Sequence, residues 1–76
     1  MNLHRAYVYI LSNKKRTIFY TGVTNNLERR IEEHRSGTGS GFTKRYNVHD
    51  LIFYEIHNNI GQAIRREKII KKWKKE

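Results

Sequence analysis

Two short blocks of β-branched and aromatic residues, 6–12 and 17–23, lie on either side of the polar run Asn13-Lys14-Lys15-Arg16. Such side chains suit a pleated surface and the polar run has turn character, so the two blocks read as a β-hairpin. Gly22 interrupts the second block. A missing side chain inside a strand marks either a bulge or a close approach by another group. Thr24, Asn25 and Asn26 then offer helix N-caps ahead of a helically spaced segment over 27–35. The glycine-alternating run 36–41 reads as the most flexible stretch, followed by a short helix over 42–46. Residues 51–56 form a third strand pattern, and Asn58 or Asn59 caps a final helix over 60–75. The order strand, strand, helix, short helix, strand, helix predicts an α/β (α+β) fold. A small three-stranded antiparallel sheet is flanked by helices, in one domain spanning residues 1–76.

Charge constrains the partner more than the fold. Sixteen Lys and Arg face seven Asp and Glu, a formal charge of +9 on 76 residues. A field of that sign on so small a surface attracts polyanions, with nucleic acid ahead of an anionic membrane. No apolar run approaches the ~18 residues a membrane span requires. The N-terminus lacks the length and cleavage site of a signal peptide, so a cytoplasmic protein is expected. There is no cysteine, which excludes disulfides, thiolate metal sites and a cysteine nucleophile. The four histidines show no zinc spacing, and His4, His49 and His57 read as surface residues.

Two polar groups fall on apolar helix faces. With Ile60 at 0° and about 100° per residue, Ile64 lies near about 40°, Ala63 near about −60° and Ile70 near about −80°. Glu67 falls near about −20°, inside that arc. A carboxylate there loses water, which is costly unless a cation or donors meet it. On the first helix Leu27, Ile31, His34 and Arg30 share one side, whereas Arg29 points the opposite way. Arg30 and His34 are one turn apart and can act on one spot. Glu67 pairing with Arg30 as a structural salt bridge, and His34 as a satisfied core histidine, are the plain alternatives. Together, an inward Glu, Arg and His in a basic domain are the parts of a phosphoryl-transfer site, where a carboxylate holds a divalent cation and a guanidinium takes up phosphate charge. On the hairpin, Tyr7 and Tyr9 share one face of the first strand, with Val8 and Ile10 on the other. Tyr20 shares a face with Ile18 and Gly22. Five tyrosines can also be plain core packing with hydroxyls at the rim.

These residues resemble a known family. Val8-Tyr9-Ile10, then about ten residues, then Tyr20-Thr21-Gly22 is similar to the paired motifs that name the GIY-YIG nuclease superfamily. The segment 26–34 resembles its arginine-bearing helix, and 63–73 the helix carrying its metal-binding glutamate. Small stand-alone bacterial members are the nearest in form; repair, homing and restriction endonucleases carry the same module beside other domains. The resemblance implies that Tyr9 and Tyr20 line the site, with Tyr20 as the base that activates water, assisted by His34. Arg30 would stabilise charge on the scissile phosphate, and Glu67 would be the one protein ligand to a single Mg²⁺ or Mn²⁺. The first motif departs from Gly-Ile-Tyr, so that only its tyrosine is matched and Tyr7 rivals Tyr9. Thr21 replaces the usual aliphatic residue, and Val23 stands where some repair members have lysine, with Lys44 or Arg45 as substitutes. Several relatives are expected to continue beyond a C-terminus placed as here.

Lys14, Lys15, Arg16, Lys44, Arg45, Lys71, Lys72, Lys74 and Lys75 are the expected phosphate contacts, about half of them idle. The expected activity is metal-dependent hydrolysis of nucleic-acid phosphodiesters, DNA ahead of RNA, with structural rather than sequence preference. The alternatives are a nucleic-acid-binding module of the same fold that does not cut, and a protein-interaction adaptor.

Overall fold

The computed structural model describes residues 5–37 and 41–74. Ala6–Ser12 forms β1 and Phe19–Thr24 forms β2, paired antiparallel with Tyr9 opposite Gly22. β2 starts two residues later than the β-rich composition suggests, because the Asn13 side chain takes the backbone donors that would begin it. Asn13 Oδ1 accepts from Thr17 N at 2.9 Å and from Ile18 N at 3.0 Å. Arg16 adopts a left-handed backbone in this turn (φ 59°). It is held there by a hydrogen bond to the Asn13 carbonyl and an ion pair with Asp50 at 2.8 Å.

Asn26 caps α1 (Leu27–Ser36), its Oδ1 accepting from Arg29 N at 3.1 Å. Gly37 ends the helix in the left-handed conformation (φ 85°) and donates back to the Glu33 and His34 carbonyls. A side chain there would be strained, which is the usual reason for glycine at this position. The middle of the expected flexible run, residues 38–40, lies outside the described residues. α2 (Gly41–Arg45) and β3 (Asp50–His57) follow, then α3 (Ile60–Lys74), capped by Asn59 Oδ1 accepting from Gln62 N at 2.9 Å.

The sheet order is β2-β1-β3, antiparallel throughout, so β1 is central and the other two strands are edges. Pleating divides the interior between its two faces. Ala6, Val8 and Ile10 meet Ala63 and Ile70 of α3, whereas Tyr9, Leu11 and Val48 pack with Ile18, Tyr20, Leu27 and Leu51. A β-bulge exists, but between β1 and β3 at Ile10/Leu11. Gly22 is therefore the other kind of glycine, one that yields space.

The wheel for α3 needs correction. Ile60 and Ile64, placed within the inward arc, are 50% and 41% exposed. Ala63 and Ile70 are buried instead. Apolar periodicity locates a stripe without knowing where the neighbour lies. Here a helix presses on a three-stranded sheet, and the small Ala63 sits in full contact. His49 and His57 are also not surface residues: both are partly buried, and His57 bonds Glu55 at 3.0 Å. His4 lies outside the described residues. No described helix is long and apolar enough to cross a membrane.

Candidate active site

Tyr9 lies across Gly22. A Cβ built on that glycine would come within 2.5 Å of Tyr9 Oη and 2.6 Å of Cζ. Only a bare backbone lets the ring lean over β2 and carry its hydroxyl toward that edge of the sheet. There Tyr9 Oη shares a hydrogen bond with His34 Nε2 at 3.2 Å, and His34 Nδ1 another with Thr43 Oγ1 at 2.8 Å. All three side chains are buried. Tyr20 closes the cluster, its ring centroid 6.3 Å from Tyr9 and 5.3 Å edge-on to His34. His34 Nε2 is thus bonded to Tyr9, while Tyr20 meets the imidazole edge-on. Tyr7, the rival, instead packs at a tilt against Tyr54, with ring centroids 6.4 Å apart.

The electrostatics follow from burial and charge. Burial pushes the Tyr9 hydroxyl well above the ordinary phenol range; Tyr20 adds to this, Arg30 opposes it, and Glu67 and Glu33 reinforce it. Tyr9 is therefore a proton-bearing hydroxyl. Burial, and then the Arg30 charge, lower His34 and keep the imidazole neutral. Arg30 from α1 and Glu67 from α3 come from opposite faces of the sheet, and the charge of each bears on the Tyr9 hydroxyl.

Arg30 turns inward and Arg29 outward, with side chains 37% and 62% exposed. Arg30 Nη1 lies 3.3 Å from Glu33, while Arg30 Nε is buried with no hydrogen-bond partner among the described residues. A buried guanidinium donor without an acceptor is costly, and a phosphate oxygen is the acceptor that suits it. Arg30 also lines a cleft of about 510 Å³ with Arg5, Val23, Thr24, Asn25, Asn59 and Ile60. Glu67 sits between Ala63 and Ile70 with its side chain 19% exposed, 3.1 Å from Lys71. Arg30 and Glu67 thus each pair within their own helix, and a direct ion pair between them is absent among the described residues.

No group of three or more His, Cys, Asp or Glu side chains is clustered among the described residues. A lone, mostly buried carboxylate fits Mg²⁺ or Mn²⁺ held through one protein ligand, because Mg²⁺ keeps several waters and is completed by substrate phosphate; Lys71, paired with Glu67 at 3.1 Å, would have to yield to the ion. Of the expected phosphate contacts, Lys14, Lys15, Lys44, Arg45 and Lys72 are exposed. Arg45 lies over the Tyr46 ring at 5.6 Å. Arg16 is committed to Asp50 and Lys71 to Glu67. The Lys74 side chain and Lys75 lie outside the described residues. Thr43 is a site residue that sequence reasoning does not find. A lone threonine nine residues from its partner, across a glycine-rich run, carries no motif signal.

A family profile described as the GIY-YIG catalytic domain matches residues 5–76. The chain belongs to the GIY-YIG family. That family is one of nucleases, and the matched span contains Tyr9, Tyr20, Arg30 and Glu67. This GIY-YIG chain is 44% identical over 66 residues to a UPF0213 protein of Clostridium perfringens, covering 87% of this chain and 70% of that protein. It is 37% identical over 72 residues to a UPF0213 protein of Staphylococcus haemolyticus, covering 95% and 87%. The solution NMR structure of a UPF0213 protein from Bacillus halodurans superposes with a TM-score of 0.52 at 34% identity, over 90% of this chain and 71% of that one.

Proposed function

We propose that this GIY-YIG protein is a metal-dependent endonuclease that hydrolyses nucleic-acid phosphodiesters, with DNA as substrate and structure rather than sequence as the basis of choice. The observation that carries this reading is the buried cluster of Tyr9, His34 and Tyr20, with the charges of Arg30 and Glu67 both bearing on the Tyr9 hydroxyl. Arg30 donates to the non-bridging oxygens of the scissile phosphate and takes up the charge that builds there. Tyr20, as its phenolate, accepts the proton of the attacking water. Tyr9 keeps its proton and orients that water. The water oxygen bonds to phosphorus as the P–O bond to the leaving group breaks, and the departing oxygen takes its proton from solvent. Glu67 would hold the single Mg²⁺ or Mn²⁺, which when bound neutralises phosphate charge and acidifies water. The net charge of +9, with exposed Lys14, Lys15, Lys44, Arg45 and Lys72, supports a polyanionic substrate.

The test is cleavage of plasmid and of branched oligonucleotides with Mg²⁺, with Mn²⁺ and with EDTA. Wild-type protein is expected to cut only with metal, and Glu67→Ala to bind DNA as before without cutting. Binding by both proteins with no cleavage by either would overturn the reading in favour of a module that holds nucleic acid without cutting it.

A further inference from the structure

We infer that Thr43 is a positioning residue that accepts the Nδ1 proton of His34 and thereby makes His34 Nε2 an acceptor for the Tyr9 hydroxyl. The inference rests on the nuclease reading for its catalytic consequence only; the hydrogen-bond assignment stands apart from it.

A neutral imidazole carries one proton, so one ring nitrogen donates and the other accepts. His34 uses both, at 3.2 Å to Tyr9 Oη and 2.8 Å to Thr43 Oγ1. Two assignments are open. In one, Thr43 donates to Nδ1 and Nε2–H donates to Tyr9, which turns the Tyr9 O–H away from the imidazole. In the other, Nδ1–H donates to Thr43 and the Tyr9 O–H donates to Nε2, so the Tyr9 oxygen faces outward with its lone pairs. Donor strength decides between them. A phenol O–H, with an ordinary pKa of about 10, is far more acidic than an aliphatic hydroxyl. Tyr9 is therefore the better donor to the bare imidazole nitrogen, and the Thr43 oxygen the better acceptor for the N–H. The charged or titratable groups that act on His34 are Arg30, Glu33 and His49. A threonine hydroxyl rotates and has two lone pairs, so it accepts from Nδ1 without rearrangement. Thr43 is fully buried on α2, and its carbonyl is fixed by Val48 N at 2.9 Å, so the acceptor is placed by packing.

The consequence lies at the Tyr9 oxygen. With Nε2 as acceptor, that oxygen can receive a hydrogen bond from the attacking water while Arg30 donates to phosphate. With the opposite tautomer Tyr9 presents its hydrogen instead, and donation to the water would occupy a lone pair of the nucleophile. The residue that sets this lies outside the reach of substrate, as outer-shell partners of catalytic histidines commonly do.

The direct test is two-bond ¹H–¹⁵N correlation on the histidine rings of uniformly labelled protein, with His34 assigned by its loss in His34→Gln. The wild type is expected to show Nδ1 protonated and Nε2 bare. Thr43→Ser should match it, and Thr43→Val, which keeps the shape without an acceptor, should move the proton to Nε2. In the cleavage assay Thr43→Val should lower kcat by about 10–100-fold, the range for loss of such a partner. KM for the oligonucleotide should stay unchanged, and Thr43→Ser should recover the rate. A wild-type spectrum with Nε2 protonated, or a Thr43→Val spectrum identical to wild type, overturns the inference. A wild type that never cuts would sink the nuclease reading instead, and the spectra would still decide the tautomer.

Discussion

Replacing Gly22 by alanine adds one methyl group at the point where β2 and Tyr9 nearly touch. The new Cβ would lie 2.5 Å from Tyr9 Oη, 2.6 Å from Cζ and 3.0 Å from Cε1. Ordinary contact needs roughly 3.4 Å or more, so the ring must retreat by about 1 Å. Tyr9 has nowhere easy to go: it is packed with Leu11 and Val48 and bonded to His34. Overpacking of this kind costs about 1–3 kcal/mol, and loss of a net hydrogen bond adds about 1 kcal/mol. A total of about 2–4 kcal/mol lowers the melting temperature of a domain this small by roughly 10–25 °C. Misplacing a catalytic group by about 1 Å also costs on the order of 100-fold in rate. Thermal melts and urea titrations measure the first effect, and single-turnover cleavage at a temperature where both proteins are folded measures the second. A double-mutant cycle identifies the cause. In a Tyr9→Leu background the clash is gone, and Gly22→Ala should cost little. An equal cost in both backgrounds, or a Gly22→Ala protein as stable as wild type, would refute the close approach as the reason for glycine.

Arg30→Ala should reduce kcat by about 10²–10³-fold, as for removal of one donor to a developing oxyanion. Its melting temperature should hold or rise, since a buried unpaired Nε is removed; a large loss of stability would show that Arg30 is structural. Glu55 is held below its ordinary value of 4.5 by hydrogen bonds from Arg66, then from His57, against the opposing effect of burial. Its folded value is the lower one, so it stabilises the fold above pH 4.5, and that contribution is lost as pH falls through the lowered value. Glu55→Gln should therefore cost about 1.5–3 kcal/mol at neutral pH and flatten the acid limb of stability, read from urea midpoints; an unchanged acid limb would count against the Arg66 clamp. Lys14→Gln with Lys15→Gln should weaken DNA binding and reduce the salt slope by up to about 1.8, near 0.9 for each phosphate no longer neutralised. An unchanged slope would place the hairpin turn off the DNA.

How much of this is readable from the chain depends on whether the signal is local. The caps at Asn26 and Asn59 are among the candidates because capping is a property of a few adjacent residues. The choice of Arg30 over Arg29 follows from helix geometry alone and agrees with their exposures of 37% and 62%. The start of β2 escapes a sequence reading because Asn13 intercepts the donors of Thr17 and Ile18, a side-chain choice that strand propensity does not register. The face of α3 is misjudged because Ile60 and Ile64 look like core residues on a wheel, while the surface that receives the helix lies on the Ala63–Ile70 side. His57 reads as a surface histidine until β3 and α3 are placed together, when Glu55 is found bonded to both His57 and Arg66.

The edge position of β2 explains how so short a chain accommodates the proposed site. A hydroxyl on the central strand of a three-stranded sheet would ordinarily be sealed between helices. Gly22 opens one lane across the outer strand, and Tyr9 uses it to bring its oxygen to the place where a side chain from either face can arrive. Arg30 comes from the α1 face and Glu67 from the α3 face, and the charge of each bears on Tyr9. His34 and Thr43 then hold Tyr9 from behind, through two hydrogen bonds buried from water. Substitution should therefore affect the two neighbouring positions of the second motif differently. Thr21, buried and paired with Ile10, should accept an aliphatic residue at little cost. Gly22 cannot be exchanged, because every other residue type would fill the lane.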